Sequence, residues 1–251
     1  MEKQDLILET CLLAGRIMME NGSEVYRVED TMNRIAANAG EPNSISYVTA
    51  TGLFMGLRKS HYAQVEDVHD RTINLEKIVA VNQLSRKFAA QEISLEELHQ
   101  ALSLVNTTTP FFPFYLQILS AGLVSCLLMY IFGGDWADFF ATFFVGMIGF
   151  VTSYYVKKWS QLRFFDMYAA AFLIGLLAIV CVRIGVAQNV DNIIIGAVMP
   201  LVPGVAITNS FRDILAGDLI SGTARGIEAL FTAAAIAVGI ATIFSIFGGG
   251  I

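Results

Sequence analysis

The residues whose types and spacing could do chemistry are concentrated in one segment, GAVMPLVPGVAITNSFRDILAGDLISGTARGIEA, which begins at Gly196. Pro200 and Pro203 remove two backbone donors inside an apolar run, and Gly204 follows at once. A lone proline in a membrane helix makes a kink, but this cluster predicts a broken helix, the arrangement by which transporters aim half-helix ends and freed carbonyls at a substrate. Thr208 and Asn209 add uncharged donors, and Arg212 and Arg225 add cations suited to a carboxylate. Three acids accompany them: Asp213, Asp218 and Glu228. Glu228 opens the last apolar run on the same helical face as Arg225, and an acid so placed is costly unless paired or protonatable. The expectation is that Pro200, Pro203, Gly204, Thr208, Asn209, Arg212 and Arg225 bind substrate, while Glu228, Asp218 and Asp213 couple transport to protons. The plainer alternative is a solvated loop, with Arg212 and Arg225 as ordinary cytoplasmic-side cations and Asp213 as their surface partner.

Elsewhere the chemical signals are weaker. His61 and His69 lie near Asp67 and Asp70, but on a polar strand or loop where exposed His and Asp are common, so a metal site is the less favoured reading. No Walker-A, G-x-S-x-G, H-E-x-x-H or G-x-G-x-x-G sequence is present, so neither an enzyme nor a bound cofactor is expected. Cys11, Cys126 and Cys181 have neither pairing nor metal-ligand spacing. A net charge of −6 without a basic stripe argues against a nucleic-acid partner. The opening MEKQDLILETCLL mixes acids into its first turns and does not read as a signal peptide.

The elements that position the segment follow from how charge is distributed. The chain is 55% hydrophobic and 15% charged, and residues 1–112 hold 10 of its 16 Lys/Arg and 15 of its 22 Asp/Glu. The two halves are therefore suited to different solvents. A spanning helix needs about 20 apolar residues, because the hydrocarbon core is roughly 30 Å thick and each residue rises about 1.5 Å. Five such spans are expected, at about 114–132, 139–156, 167–187, 192–211 and 223–247. Lys157, Lys158 and Arg163 lie between the second and third, and Arg212 and Arg225 between the fourth and fifth, whereas the loops GGDWAD and GVAQNVDN carry no cation. That asymmetry places the N-terminus in the cytoplasm and the C-terminus outside, in a multi-pass protein of the cell (plasma or inner) membrane. Arg183, near the outer end of the third span, is the exception and could pair within the bundle or snorkel.

Residues 1–110 read as a cytoplasmic α+β domain, and residues 111–251 as the transmembrane domain. A first helix covers about Lys3–Glu20 and stops at Asn21-Gly22; Val25, Val28, Met32, Ile35, Ala36 and Ala39 repeat at helical spacing up to Gly40. Ser44–Ala50 alternates as a strand does, and Phe54–Leu57 and Tyr62–Val68 could pair with it. Ser94 and Glu97 form a capping box opening a helix through Val105, and Thr107–Pro110 reads as a linker into the membrane. Arg27 and Glu29 are expected to form an ion pair within the domain, with a docking surface as the alternative.

The run MPLVPGVAITNSFRDILAGDLISGTARGIEA resembles the signature of the threonine/serine exporter family, in its branch of small split members, and AGRIMMENGSEVYRVEDTMNRIAANAG resembles that family's N-terminal motif. The resemblance implies export of a small carboxylate-bearing metabolite, threonine and serine or a dicarboxylate such as succinate. It also implies a second small membrane protein resembling the half that the long fused members carry in the same chain. It supplies no catalytic residues. A homo- or hetero-oligomer is expected, since small residues along the last span (Ala233, Ala234, Ala235, Ala237, Gly239, Ala241) permit close packing. The competing reading is a membrane-anchored sensor or enzyme whose active part is the N-terminal domain, and the weakest is a purely structural partner for another transporter.

Overall fold

The computed structural model describes residues 3–58, 62–68, 72–108, 112–160 and 162–247. Its elements run α1 (Lys3–Glu20), α2 (Val25–Asn38), β1 (Ser44–Val48), β2 (Gly52–Leu57), β3 (Tyr62–Asp67), α3 (Leu75–Ala89), α4 (Leu95–Thr108), α5 (Phe114–Ile131), α6 (Phe139–Trp159), α7 (Phe165–Arg183), α8 (Val190–Val198), α9 (Gly204–Ala216) and α10 (Leu219–Phe247). Short 3₁₀ turns precede α6 and follow α8. By compactness the chain forms two units: Met1–Phe111 with Val205–Ile227, and Phe112–Gly204 with Glu228–Ile251.

In the first unit α1 is apolar on more than one side. Ile7, Leu8, Cys11, Leu12, Ala14, Ile17, Met18 and Met19 are all buried, so it forms the centre, packed against α2, α4 and β2. α1 ends where Gly22 turns to φ +95° and the Ser23 N–H bonds back to the Met18 carbonyl at 3.0 Å, a left-handed cap that a side chain would strain. α2 buries Val25, Val28, Met32, Ile35 and Ala36 along one stripe, as their spacing predicts. The sheet is antiparallel in the order β1-β2-β3, with Tyr47 opposite Phe54 and Phe54 opposite Val65 on its exposed face. Val48, Leu53, Met55 and Leu57 point into the core. The alternating segment and both of its expected partners are strands, although β2 starts at Gly52 rather than Phe54, β3 stops at Asp67 rather than Val68, and β1 stops at Val48 rather than Ala50, because Thr49 N–H turns back to the Gly52 carbonyl.

α3 has no counterpart in the sequence reading. Asn74 caps it by accepting from the Lys77 N–H at 3.3 Å, and Ile78, Val81 and Phe88 form its buried stripe. The capping box of α4 is present in both directions: Glu97 accepts from the Ser94 N–H at 2.7 Å, and Ser94 Oγ accepts from the Glu97 N–H at 3.2 Å. The expected linker at Thr107–Pro110 is corrected at its start, since Thr107 and Thr108 bond their hydroxyls to Leu104 and remain helical. Its remainder lies outside the described residues, as do His61, His69 and Asp70.

The second unit packs α5, α6, α7 and α8 around a core that includes Ala170, Ala171, Ile174, Ala178, Ile193 and Ala197. Four helical segments are long and apolar enough to cross a membrane: Phe114–Ile131, Trp136–Trp159, Phe165–Arg183 and Leu219–Phe247. A fifth is counted only if the bent pair Val190–Leu201 and Gly204–Ala216 is one span. The second of these begins and ends about three residues beyond the expected bounds, and the last begins at Leu219 rather than 223. Arg183 pairs at the end of α7, where its Nη2 donates to the Phe247 carbonyl at 3.3 Å.

Candidate functional site

The helix break falls at the prolines. Pro200 sits in a 3₁₀ turn, Val202 is extended at ψ 128°, and α9 starts at Gly204. Proline has no N–H to continue the helical ladder and disfavours helical backbone in the residue before it, so the two prolines account for both the turn and the extended Val202. A left-handed Gly217, at φ +99°, separates α9 from α10.

Within the first unit, α9 and the opening turns of α10 meet the turn between α1 and α2. Asp213 is fully buried, its Oδ1 accepting from the Val25 N–H at 3.1 Å and its Oδ2 lying 3.3 Å from Arg225 Nη1. It thereby satisfies one of the donors left open at the start of α2. Arg225 is also buried, and its Nη2 donates to the Ser23 carbonyl at 2.9 Å and contacts Met19 Sδ at 3.3 Å. Asn209 Nδ2 donates to the Gly22 carbonyl at 2.9 Å. Asn209 and Arg225 thus answer the Gly22 and Ser23 carbonyls and Asp213 the Val25 N–H, so the turn's geometry and these side chains specify one another. Ser210 Oγ donates to the Gly222 carbonyl at 2.6 Å, and a Cβ on Gly222 would stand 2.9 Å from the Ser210 carbonyl, so only glycine lets these two helices approach so closely.

Glu24 holds the exposed edge of this arrangement. Its side chain is only 7% exposed; Oε1 meets Arg212 Nη1 at 2.6 Å and Oε2 meets Arg27 Nη1 at 3.2 Å. Burial opposes its ionisation, but its own backbone N–H together with the Arg212 and Arg27 guanidinium groups outweighs burial and holds the carboxyl below its usual range. The expected Arg27–Glu29 pair is thus corrected: Arg27 reaches Glu24 three residues earlier, on the same helical face, whereas a residue two places away is on another. Glu29 instead accepts from the Val48 N–H at 3.0 Å, and burial, with the Asp218 charge adding to it, pushes its carboxyl up.

Of the residues singled out in the sequence, the structure thus brings together Asn209, Arg212, Asp213 and Arg225, with half-buried Asp218 at the start of α10, where its N–H bonds the Asp213 carbonyl at 2.8 Å. Thr208 is exposed and returns its hydroxyl to the Val205 carbonyl. Pro200, Pro203, Gly204 and Glu228 belong to the second unit, where Glu228 is half-buried and its carbonyl accepts from Thr232 Oγ1. Asp213 as a surface partner is excluded by its complete burial.

The sequence reading missed Glu24, Ser23 and Gly22 as parts of the site, and in the second unit it missed Asp138. The Asp138 carboxylate is fully buried and accepts from the Gln188 and Asn189 N–H groups at 2.6 and 3.2 Å and from Asn192 Nδ2 at 3.2 Å. Among the described residues no group of three or more His, Cys, Asp and Glu is placed to hold a metal ion.

Four to five helices long and apolar enough to cross a membrane make this a multi-pass membrane protein, which also carries a small three-stranded sheet. Residues 9–247 match the model of the threonine/serine exporter family, and the chain belongs to that family, one of transporters rather than enzymes. The chain is 22% identical over 98% of its length to the "Probable succinate transporter subunit YjjP" of Escherichia coli strain K12, of which it covers 97%. It is 19% identical over 93% of its length to the "Probable threonine/serine exporter" of Mycobacterium tuberculosis strain H37Rv, but covers 45% of that longer protein. No solved structure matches it.

Proposed function

We propose that the chain is one subunit of a secondary transporter that exports a small carboxylate-bearing metabolite, threonine or serine or a dicarboxylate such as succinate, from the cytoplasm. A second small membrane protein supplies the part that the longer relative carries in its own chain. The observation that carries the reading is the helix break at Pro200–Gly204 in an apolar run of a chain that belongs to an exporter family. The cations between α6 and α7 favour a cytoplasmic N-terminus in the cell membrane.

In this reading Arg212 meets the substrate, while Arg225, Asn209 and Asp213 hold α9 and α10 in place. Pro200, Pro203 and Gly204 keep the helix open and Thr208 supplies a hydroxyl. Glu228 and Asp218 are the acids available for proton coupling, and Asp213 joins them only when its pair with Arg225 opens. The test is efflux from vesicles loaded with serine, threonine or succinate, with this chain alone and with a second membrane subunit, with and without a pH gradient. Efflux of one substrate that requires both chains supports the reading; no efflux of any of the three, with both chains folded, removes it.

A further inference from the structure

From the geometry around Glu24 we infer that Arg27 and Arg212 form a binding site for a small dicarboxylate anion, oriented by the buried acid between them. One carboxylate neutralises one guanidinium, yet Glu24 carries two, one on each oxygen, which leaves this trio with a net positive charge. Had Glu24 needed only a partner to be buried, either arginine would have sufficed; the second adds ordering cost and uncompensated charge. The two cations are also the accessible members, with side chains 45% and 63% exposed against 7% for the acid.

Each guanidinium carries five N–H donors in a planar fork, and the bond to Glu24 occupies one nitrogen of each. The rest of the fork suits bidentate recognition of a carboxylate. Arg27 stands on α2 and Arg212 on α9, two helices joined through Asp213, so the cations are mounted on fixed supports rather than on a loop.

The ligand class follows from what surrounds the pair. Asp213 is matched by Arg225, while Asp218 and Glu29 bring negative charge to the same unit. The long-range field is therefore modest, and attraction rests on short, charge-assisted hydrogen bonds. A zwitterionic amino acid would also need an acceptor for its ammonium group, and Glu24, only 7% exposed with an arginine already on each oxygen, is poorly reached by one. A dianion uses both cations and needs no acceptor. The site deepens the exporter reading and rests on it only for where the bound anion goes.

The experiment is calorimetric titration of the full chain in nanodiscs with succinate and with threonine, on wild type, Arg27→Gln, Arg212→Gln, the double variant, and the two Lys replacements. Expected are tighter binding of succinate than of threonine, a loss of roughly ten-fold or more for each Gln variant, and partial recovery with Lys, which keeps the charge but not the fork. A folded double variant that binds succinate as wild type does, or a wild type that binds neither compound or prefers threonine, overturns the site. Vesicle efflux separates the two readings. Succinate efflux undiminished in the double variant removes the site and leaves the exporter; the expected binding losses without efflux of any carboxylate from wild-type vesicles remove the exporter and leave the site.

Discussion

Asp213 Oδ2 and Arg225 Nη1 meet 3.3 Å apart with their side chains 0% and 8% exposed, so the start of α10 is tied to α9 by a buried ion pair. Removing one partner strands a charge out of water, which typically costs about 3–5 kcal/mol. Asp213→Ala and Arg225→Ala should each lower the melting temperature of the full chain markedly. The Asp213→Ala/Arg225→Ala double variant should lose clearly less than the sum of the two. Strictly additive losses would show that the two residues do not stabilise each other.

Gly222 tests the close approach of α9 and α10. A Cβ there would lie 2.6 Å from Ile214 Cγ1 and 2.9 Å from the Ile214 nitrogen, and backbone cannot yield as a flexible side chain can. Gly222→Val should cost about 1–3 kcal/mol by overpacking. At Gly204 an added Cβ meets nothing within 4 Å, so Gly204→Ala should melt as wild type does. Equal melting temperatures for both variants would mean that the contact at Gly222 is not tight.

Glu24, the N-cap residue of α2, and Glu29 within that helix have opposite pH signatures. Glu24 is held below its ordinary value of 4.5, so its contribution to stability is complete above that pH and is lost as pH falls through the lowered value. Glu29 is raised above 4.5, so stability declines as pH rises from 4.5 through the raised value, where the folded state gives up its proton reluctantly. Glu29→Gln should accordingly raise the melting temperature at pH 7 and lose that advantage below pH 4.5. A Glu29→Gln variant less stable than wild type at pH 7 would mean that the charge, and not merely the bond to Val48, is needed.

Glu228→Gln addresses the proposed proton coupling. Efflux stimulated by a pH gradient should become insensitive to that gradient, with the protein still present in the membrane at the wild-type level. Coupling that survives the substitution takes Glu228 out of the mechanism.

Asp138→Ala should destabilise the second unit, because it leaves the Gln188 and Asn189 N–H groups and the Asn192 amide without their acceptor. A hydrogen bond to a charged group contributes about 1.5–3 kcal/mol. Hydrogen exchange at Gln188 and Asn189 should quicken in the variant, and unchanged protection there would contradict the pinning role.

Local periodicity made much of the fold legible. Alternation in SISYV located β1, the Ser94–Glu97 box located α4, and the apolar runs located α5, α6, α7 and α10. α3 carries the same kind of stripe, but exposed Leu75 and Val79 lie off its buried face and blur the period. The site was legible only from one side. Arg212, Asp213 and Arg225 drew attention because charge among apolar residues is costly, whereas Glu24 lies in a segment already rich in acids and nothing local marks it as buried. Its importance comes from partners 188 residues away, a distance that no pattern within a helix or strand encodes. Asp138 was hidden similarly, since its donors lie 50 or more residues further along the chain.

That the first unit is closed by Val205–Ile227 has a consequence for how the protein is made. The N-terminal residues leave the ribosome first, but the Val25 N–H and the Gly22 and Ser23 carbonyls receive their side-chain partners only after Asn209, Asp213 and Arg225 have been synthesised. Closing contacts of such long sequence separation are slow to form, because loop-closure entropy must be met before they give anything back. The N-terminal segment therefore waits, incomplete at the turn after α1, until α9 and the first turns of α10 have been translated. A fragment ending at residue 110 lacks those partners altogether, and should be judged as an unfinished fold rather than as an independent domain.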